Sequence, residues 1–300
     1  MIDYEKAWLG LCAKKPEHAK ICILGIPFDG GASLGKGAAK APQRIRDLAS
    51  EDMPEADDAW ILIKKGIMFD YGDVEIDLDW EKSFKRVEDR AYEVMKQDKF
   101  SLFIGGDHSV TIPLQRAFKK YQEERKPDGK IGIIHFDAHF DLCDRFEGHK
   151  WSHANTAKRA LDDILEPKDI LFLGIRAAES EELEIIKKHP EIEVISATEV
   201  FQNGYMAAYE RIYKKFKDYD GIYFTLDIDV LDPAYAPGTG TPVFAGLSSR
   251  ELIELVRLLL AHLPIKAMDI VEVAPPLDRN DITSWAAIGI IQQIFNFYSK

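Results

Sequence analysis

Cysteine is scarce in this chain. Cys12, Cys22 and Cys143 are the only three in 300 residues, an odd and scattered set that forms no disulfide framework and points to a reducing compartment. Long apolar runs are missing as well, since none approaches the ~20 residues that a membrane-spanning helix needs. The first ten residues carry Asp3, Glu5 and Lys6 and lack the apolar core of a secretory signal, so a cytoplasmic protein with no membrane partner is expected. Positive charge is in deficit: 39 Lys and Arg stand against 51 Asp and Glu, a formal net charge of −12. That balance argues against a nucleic-acid partner, whose phosphates would be repelled. It suits a cationic ligand, or simply solubility. Repeats, low-complexity tracts and Pro/Ser-rich linkers are also lacking, and one domain over residues 1–300 is expected.

What the chain does have is a recurring unit, a short apolar run followed by a charged stretch with helical spacing. Strands are predicted at 21–26, 101–104, 131–136, 170–174, 193–196, 221–226 and 266–271. Several are nearly continuous in Ile, Leu, Val and Phe rather than alternating, which marks strands covered on both faces, as in a parallel sheet. Helical spacing covers 80–99, with Asp79 as N-cap. It returns over 248–262, where Ser248 three residues before Glu251 makes a capping box. Strand–helix alternation along the whole length reads as an α/β fold with a mostly parallel sheet.

Ligands of open α/β sheets gather at the carboxyl ends of the strands, and the polar clusters fall there. His108 follows one strand, Asp137, His139 and Asp141 the next, Asp227 and Asp229 a third, and Glu272 a fourth. Spacing of two along an extended segment points Asp137, His139 and Asp141 the same way. Such acids and imidazoles side by side at a buried strand end repel one another unless a cation compensates them. Four carboxylates and two imidazoles exceed what one ion needs. They suit two ions about 3.5–4 Å apart that share carboxylates and activate a water. Oxygen-rich ligation with some nitrogen favours Mn²⁺, with other divalent ions possible, and no Cys set suggests structural zinc.

Other residues are open to two readings. His153 lies in a polar segment just past the metal-binding strand and is placed to shuttle a proton, although a loop histidine is more often surface decoration. Glu272 precedes Ala274-Pro275-Pro276 and is either a guanidinium-binding carboxylate or a capping acid. His149 reads as bland, and Asp107 and Asp232 as residues that brace the clusters. Residues 30–36 fit the first part of a phosphate loop, but Gly37 stands where Ser or Thr would reach Mg²⁺. They read as a flexible Gly-rich loop.

The chain resembles the ureohydrolases, the family of arginase and agmatinase. Leu24 to Gly31 and Ala41 to Arg46 resemble the family's opening. Gly105 to Ser109, His135 to Asp141 and Thr225 to Pro233 are similar to its metal motifs, and Gly238 to Pro242 and Val271 to Pro275 to its substrate-side motifs. The resemblance implies a three-layer α/β/α fold with an eight-stranded parallel sheet and two Mn²⁺. His108, Asp137, Asp141 and Asp227 would hold one ion. His139 and Asp229, with Asp137 and Asp227 as bridges, would hold the other. It further implies hydrolysis of a guanidino compound to urea and an amine, with His153 as proton shuttle, Glu272 on the guanidinium, and a homo-oligomer, commonly a trimer or hexamer.

The segment from Glu147 to Ala154 resembles the agmatinase version, whereas Cys143 and Trp151 occupy positions where arginases carry Asn. The substrate implied is therefore agmatine, yielding putrescine and urea, rather than arginine. Guanidinobutyrate, guanidinopropionate, formiminoglutamate and, less favoured, arginine are the alternatives, and a carboxylate-bearing one could draw on Lys150 or Arg145. Phe140, the 155–157 stretch and Val243-Phe244-Ala245 depart from the usual pattern and are expected on substrate-facing loops. Trp151 is expected to line the pocket and stack on a planar cation, or to pack the loop. An inactive metal-binding relative would be signalled by a replaced bridging acid, and none is replaced.

Overall fold

The computed structural model describes residues 7–300. Eight strands form: β1 Ile21–Gly25, β2 Met68–Asp73, β3 Phe100–Ile104, β4 Ile131–Phe136, β5 Ile170–Ile175, β6 Glu193–Ser196, β7 Gly221–Asp227 and β8 Ile265–Val271. They make one sheet in the order β2-β1-β3-β8-β7-β4-β5-β6. Every pairing is parallel, so the mostly parallel expectation resolves to a wholly parallel sheet.

Helices cover both faces, and the pleat explains why the strands read as continuous apolar runs. Ile222, Phe224 and Leu226 of β7 point into one core, Tyr223 into the other. Ile21 and Ile23 of β1 likewise face away from Cys22 and Leu24. On the first face lie α1 (Ala41–Asp52), α6 (Ala197–Phe216), α7 (Ser249–His262) and α8 (Ile282–Ser299). On the second lie α2 (Trp80–Met95), α3 (Thr111–Arg125), α4 (Thr156–Asp163) and α5 (Ser180–Lys188). Two faces that are both buried leave no room for the polar/apolar alternation of a half-exposed sheet.

Seven strands fall where apolar runs predict them. The missed one, β2, is an edge strand whose sequence carries Asp70, Gly72 and Asp73. Its fully buried Asp70 is held by Arg46 of α1, Nε to Oδ2 at 2.7 Å, and by Trp8 Nε1 at 2.8 Å. Partners far away in sequence thus allow a strand that composition disfavours. Helix α2 stops at Met95, short of the predicted 99, because Asp98 turns the chain into β3 with φ 55°.

The predicted caps form. Asp79 accepts from the backbone N–H of Glu81 and Lys82, and Ser248 and Glu251 make the reciprocal capping box. Asp79→Ala should cost about 1 kcal/mol in chemical denaturation, the usual loss for a cap. Phe224→Ala should cost about 3–5 kcal/mol, because Phe224 is fully buried against Phe136 with ring centroids 4.8 Å apart.

Candidate metal centre

The strands that carry the clusters, β3, β8, β7 and β4, are contiguous in the sheet although they are far apart in the chain. Their carboxyl ends therefore bring His108, Glu272, Asp227 and Asp137 to one edge. Tight backbone work precedes each ligand. A Cβ on Gly106 would stand 1.6 Å from the Phe28 carbonyl oxygen, so only glycine lets the chain turn there to His108. Asp107 then accepts from the Ser109 N–H at 2.9 Å and the Gly31 N–H at 2.6 Å, the bracing role expected of it. Asp232 is a turn acid in the same sense, accepting from Ala234 N–H at 2.9 Å. Asp141 and Glu272 have φ of 55° and 62°, a region that L side chains avoid. Left-handed backbone at non-glycine residues is concentrated at sites that the surrounding structure over-determines.

All six expected ligands converge. His108 Nδ1 lies 3.1 Å from Asp137 Oδ2, 2.9 Å from Asp141 Oδ2 and 3.3 Å from Asp227 Oδ2. His139 Nδ1 lies 3.4 Å from Asp137 Oδ1 and 3.1 Å from Asp229 Oδ2. Asp137 thus offers one oxygen to each side. The second oxygens of Asp229 and Asp227 are occupied by backbone, accepting from Ala138 N–H at 3.0 Å and Asp229 N–H at 2.8 Å. Despite the short contacts, His108 Nδ1, Asp141 Oδ2 and Asp229 Oδ2 make no hydrogen bond of acceptable geometry and are buried from water. Buried polar atoms left unpaired are costly. Lone pairs aimed at common points from nitrogen and carboxylate oxygen are the donor set of divalent cations, so these residues fit a pair of metal ions.

The electrostatics make the same demand. Burial and the neighbouring charges of Asp229 and Asp137 push the Asp227 carboxyl far above its ordinary range, and burial with Asp137 pushes Asp229 up. Burial also works against Asp137, but contacts with His108, His135 and His139 hold it well below. Burial opposes charge on the imidazoles, yet the acids overcome it. Asp141, with Asp137 and Asp227, raises His108 well above its usual value, and Asp137 and Asp229 bring His139 up to about 12. All these shifts come from charges packed together away from water, the imbalance that cations would offset.

Glu272 is buried behind His108. Its Oε1 accepts from the His108 N–H at 2.8 Å, and burial, then Asp107, push its carboxyl well up. Its Oε2 has no hydrogen-bond partner among the described residues.

In front of the cluster is a cavity of about 290 Å³ lined by Ser33, Leu34, His139, Asp141, Cys143, Phe146, His153, Ala154, Ala177, Ala178, Glu179, Glu182 and Thr241. His153 reaches it with Nε2 3.1 Å from Ser33 Oγ and its ring edge-on to Phe146. The Gly-rich stretch is a wall of this cavity rather than a free loop: Gly31 C=O accepts from His153 N–H at 3.3 Å. Of the two roles expected for Trp151, pocket lining and loop packing, the geometry matches the second. The residue does not line the cavity, and its ring lies 5.8 Å from Phe84 of α2, packing the loop down. Phe140 is likewise a core residue, edge-on to Phe172 at 5.3 Å. Residues 155–157 are buried at the start of α4. Lys150 and Arg145 are exposed and outside the lining, and His149 stacks on Trp80. Phe244 is exposed.

Sequence reading missed Glu182, His135 and Arg176. Glu182 sits among Glu179, Glu181 and Glu184 with nothing to single it out. It is buried against the cavity, its oxygens accepting from Leu142 N–H and Glu179 N–H, both at 2.8 Å. Burial raises its carboxyl to about 7. His135 interrupts the apolar run of β4 two residues before Asp137, a signal that could have been read; its Nε2 is 2.9 Å from Asp137 Oδ2. The Arg176 guanidinium donates to the carbonyls of Asp229 at 2.6 Å and Val243 at 2.8 Å, tying a ligand turn to the 241–247 loop.

A sequence model of the arginase family matches residues 19–296. An agmatinase of Bacillus cereus is 33% identical over 284 residues, covering 93% of this chain and 91% of that protein. The crystal structure of the agmatine ureohydrolase of Thermoplasma volcanium is similar with a TM-score of 0.84 and 30% identity, covering 98% of this chain and 94% of that one. The formimidoylglutamase of Bacillus subtilis is similar with a TM-score of 0.86 and 25% identity, covering 94% and 87%. A wholly parallel eight-stranded sheet, a metal-ready edge and a family match across nearly all of its length lead to one conclusion: this chain belongs to the arginase family.

Proposed function

We propose that the chain is a manganese-dependent agmatinase, hydrolysing agmatine to putrescine and urea at a binuclear centre held by His108, Asp137, His139, Asp141, Asp227 and Asp229. The observation that carries the choice of substrate is the charge of the cavity. Its lining holds Glu179 and Glu182 in addition to the metal-edge residues, and no Lys or Arg. An extended guanidino compound with an ammonium at its far end meets Glu179 there and favours the ionised form of Glu182, whose carboxyl burial raises to about 7. One ending in a carboxylate meets repulsion without a cation to offset it.

When bound, the two ions supply Lewis-acid activation of the attacking water. The protein's own groups do the rest. The free Oε2 of Glu272 accepts from the guanidinium N–H groups and orients the plane of the reacting carbon. As water adds there and the C–N bond to the alkyl chain breaks, the departing amine needs a proton. His153 faces the cavity with Nε2 on Ser33 Oγ at 3.1 Å and is placed to deliver it. The near-complete burial of Asp137, Asp227 and Asp229 keeps bulk water from screening their charge. A cytoplasmic homo-oligomer, trimer or hexamer, belongs to the same reading, and light scattering of the purified protein checks the assembly.

The test is product release from agmatine, arginine, guanidinobutyrate, guanidinopropionate and formiminoglutamate with Mn²⁺ supplied. Agmatine should lead each carboxylate-bearing compound by at least about 100-fold in kcat/KM, roughly 2.7 kcal/mol. A carboxylate-bearing compound turning over faster would sink the substrate assignment and leave the hydrolase standing. No turnover of any of them at full metal occupancy would sink the hydrolase itself. Glu182→Gln should raise KM for agmatine and narrow its lead over guanidinobutyrate. His153→Ala should lower kcat by about 10²- to 10⁴-fold, the usual contribution of general acid–base catalysis, and Asp137→Asn should abolish turnover. Chelation should lower Tm and activity together. Mn²⁺ restored at 100 times its Kd should return about 2.7 kcal/mol of stability for each site filled.

A further inference from the structure

Thr225 in β7 and Asp269 in β8 are polar residues in the middle of apolar strands, and they are register partners across that pair. Both are fully buried. A carboxylate in such a place needs its lone pairs filled, and Asp269 has three hydroxyl donors. Thr225 Oγ1 donates to Oδ1 at 2.7 Å; Thr111 Oγ1 and Tyr223 Oη donate to Oδ2, each at 2.7 Å.

The consequence reaches the metal edge. Thr225 has one hydroxyl proton and Asp269 takes it, so toward its other neighbour the Thr225 oxygen can only accept. That neighbour is His108 Nε2, at 2.9 Å. Nε2 must then carry a proton, and in the neutral ring the lone pair is on Nδ1, the atom surrounded by Asp137, Asp141 and Asp227. His139, the imidazole of the second position, has no such partner on its Nε2 among the described residues.

We propose that Thr225, oriented by Asp269, is a positioning residue that fixes the tautomer and ring plane of His108 and thereby sets the affinity of the metal position it serves. The inference rests on the binuclear reading above. Partners behind metal-ligating histidines commonly change metal affinity by about 10- to 100-fold when removed.

The experiment is a Mn²⁺ titration of chelator-stripped protein, with free Mn²⁺ followed by electron paramagnetic resonance, for wild type, Thr225→Val and Thr225→Ser. Wild type should take up two ions. Thr225→Val should bind one of them about 10- to 100-fold more weakly, and Thr225→Ser, which keeps the hydroxyl, should restore it. Thr225→Ala serves as a second hydroxyl-free variant should the valine form fail to fold, and thermal unfolding of the stripped proteins separates a loss of fold from a loss of ligation. In protein loaded with diamagnetic Zn²⁺, the His108 Nε2–H resonance should be present in wild type and Thr225→Ser and lost to exchange in Thr225→Val. Equal affinities in wild type and Thr225→Val, or equal losses in the valine and serine variants, would overturn the proposal while leaving the centre intact. Wild type that takes up no metal would overturn the binuclear reading, and the proposal with it.

Discussion

Four carboxylates buried at one edge of a sheet repel one another, and almost everything distinctive about this chain answers that repulsion. The backbone answers part of it, with the N–H groups of Ala138, His139 and Asp229 donating to the acids. Imidazoles on either side of Asp137 answer another part. What is left over, the unpaired buried atoms His108 Nδ1, Asp141 Oδ2 and Asp229 Oδ2, is a portion that a cation would satisfy. The fold tolerates an edge that is unfavourable by itself because parallel strands buried on both faces hold it rigid. Two residues with left-handed backbone, Asp141 and Glu272, stay where they are for the same reason.

The architecture was legible in the sequence wherever burial dictated composition. Strands covered on both faces must be apolar throughout, so β3, β4, β5, β7 and β8 could be read from their runs. Edge strand β2 could not, because Asp70 is held there by Arg46 and Trp8, partners that no local pattern reveals. The cluster was legible for a complementary reason: acids and imidazoles at strand ends have few structural uses, although their convergence comes from bends and turns beyond β4 and β7 rather than from an extended segment, since β4 ends at Phe136. Glu182 shows where reading stops. It sits in an exposed-looking acidic run, and only the packing of α5 against the 142–143 turn makes it a wall of the cavity.

Trp151 and Phe140 make the same point from the other side. Both are large aromatic residues beside metal motifs, and both invite a role in binding. The structure gives them packing instead, against Phe84 and Phe172. Trp151 thereby packs down the loop that carries Ala154, one of the small residues lining the cavity. Apolar area near a site is as often a means of holding it as a means of touching what it binds.

The strand order has a consequence in time. β3 and β4, which carry His108 and Asp137, never pair with each other; β8 and β7 lie between them. A growing chain that has emerged only as far as residue 220 therefore owns four of the six clustered side chains and has nothing to join the two halves. The last strands to be made are the innermost, so the cluster comes together only once the middle of the sheet is filled. The convergence of these side chains is thus a property of the whole sheet, which β7 and β8 complete at its middle.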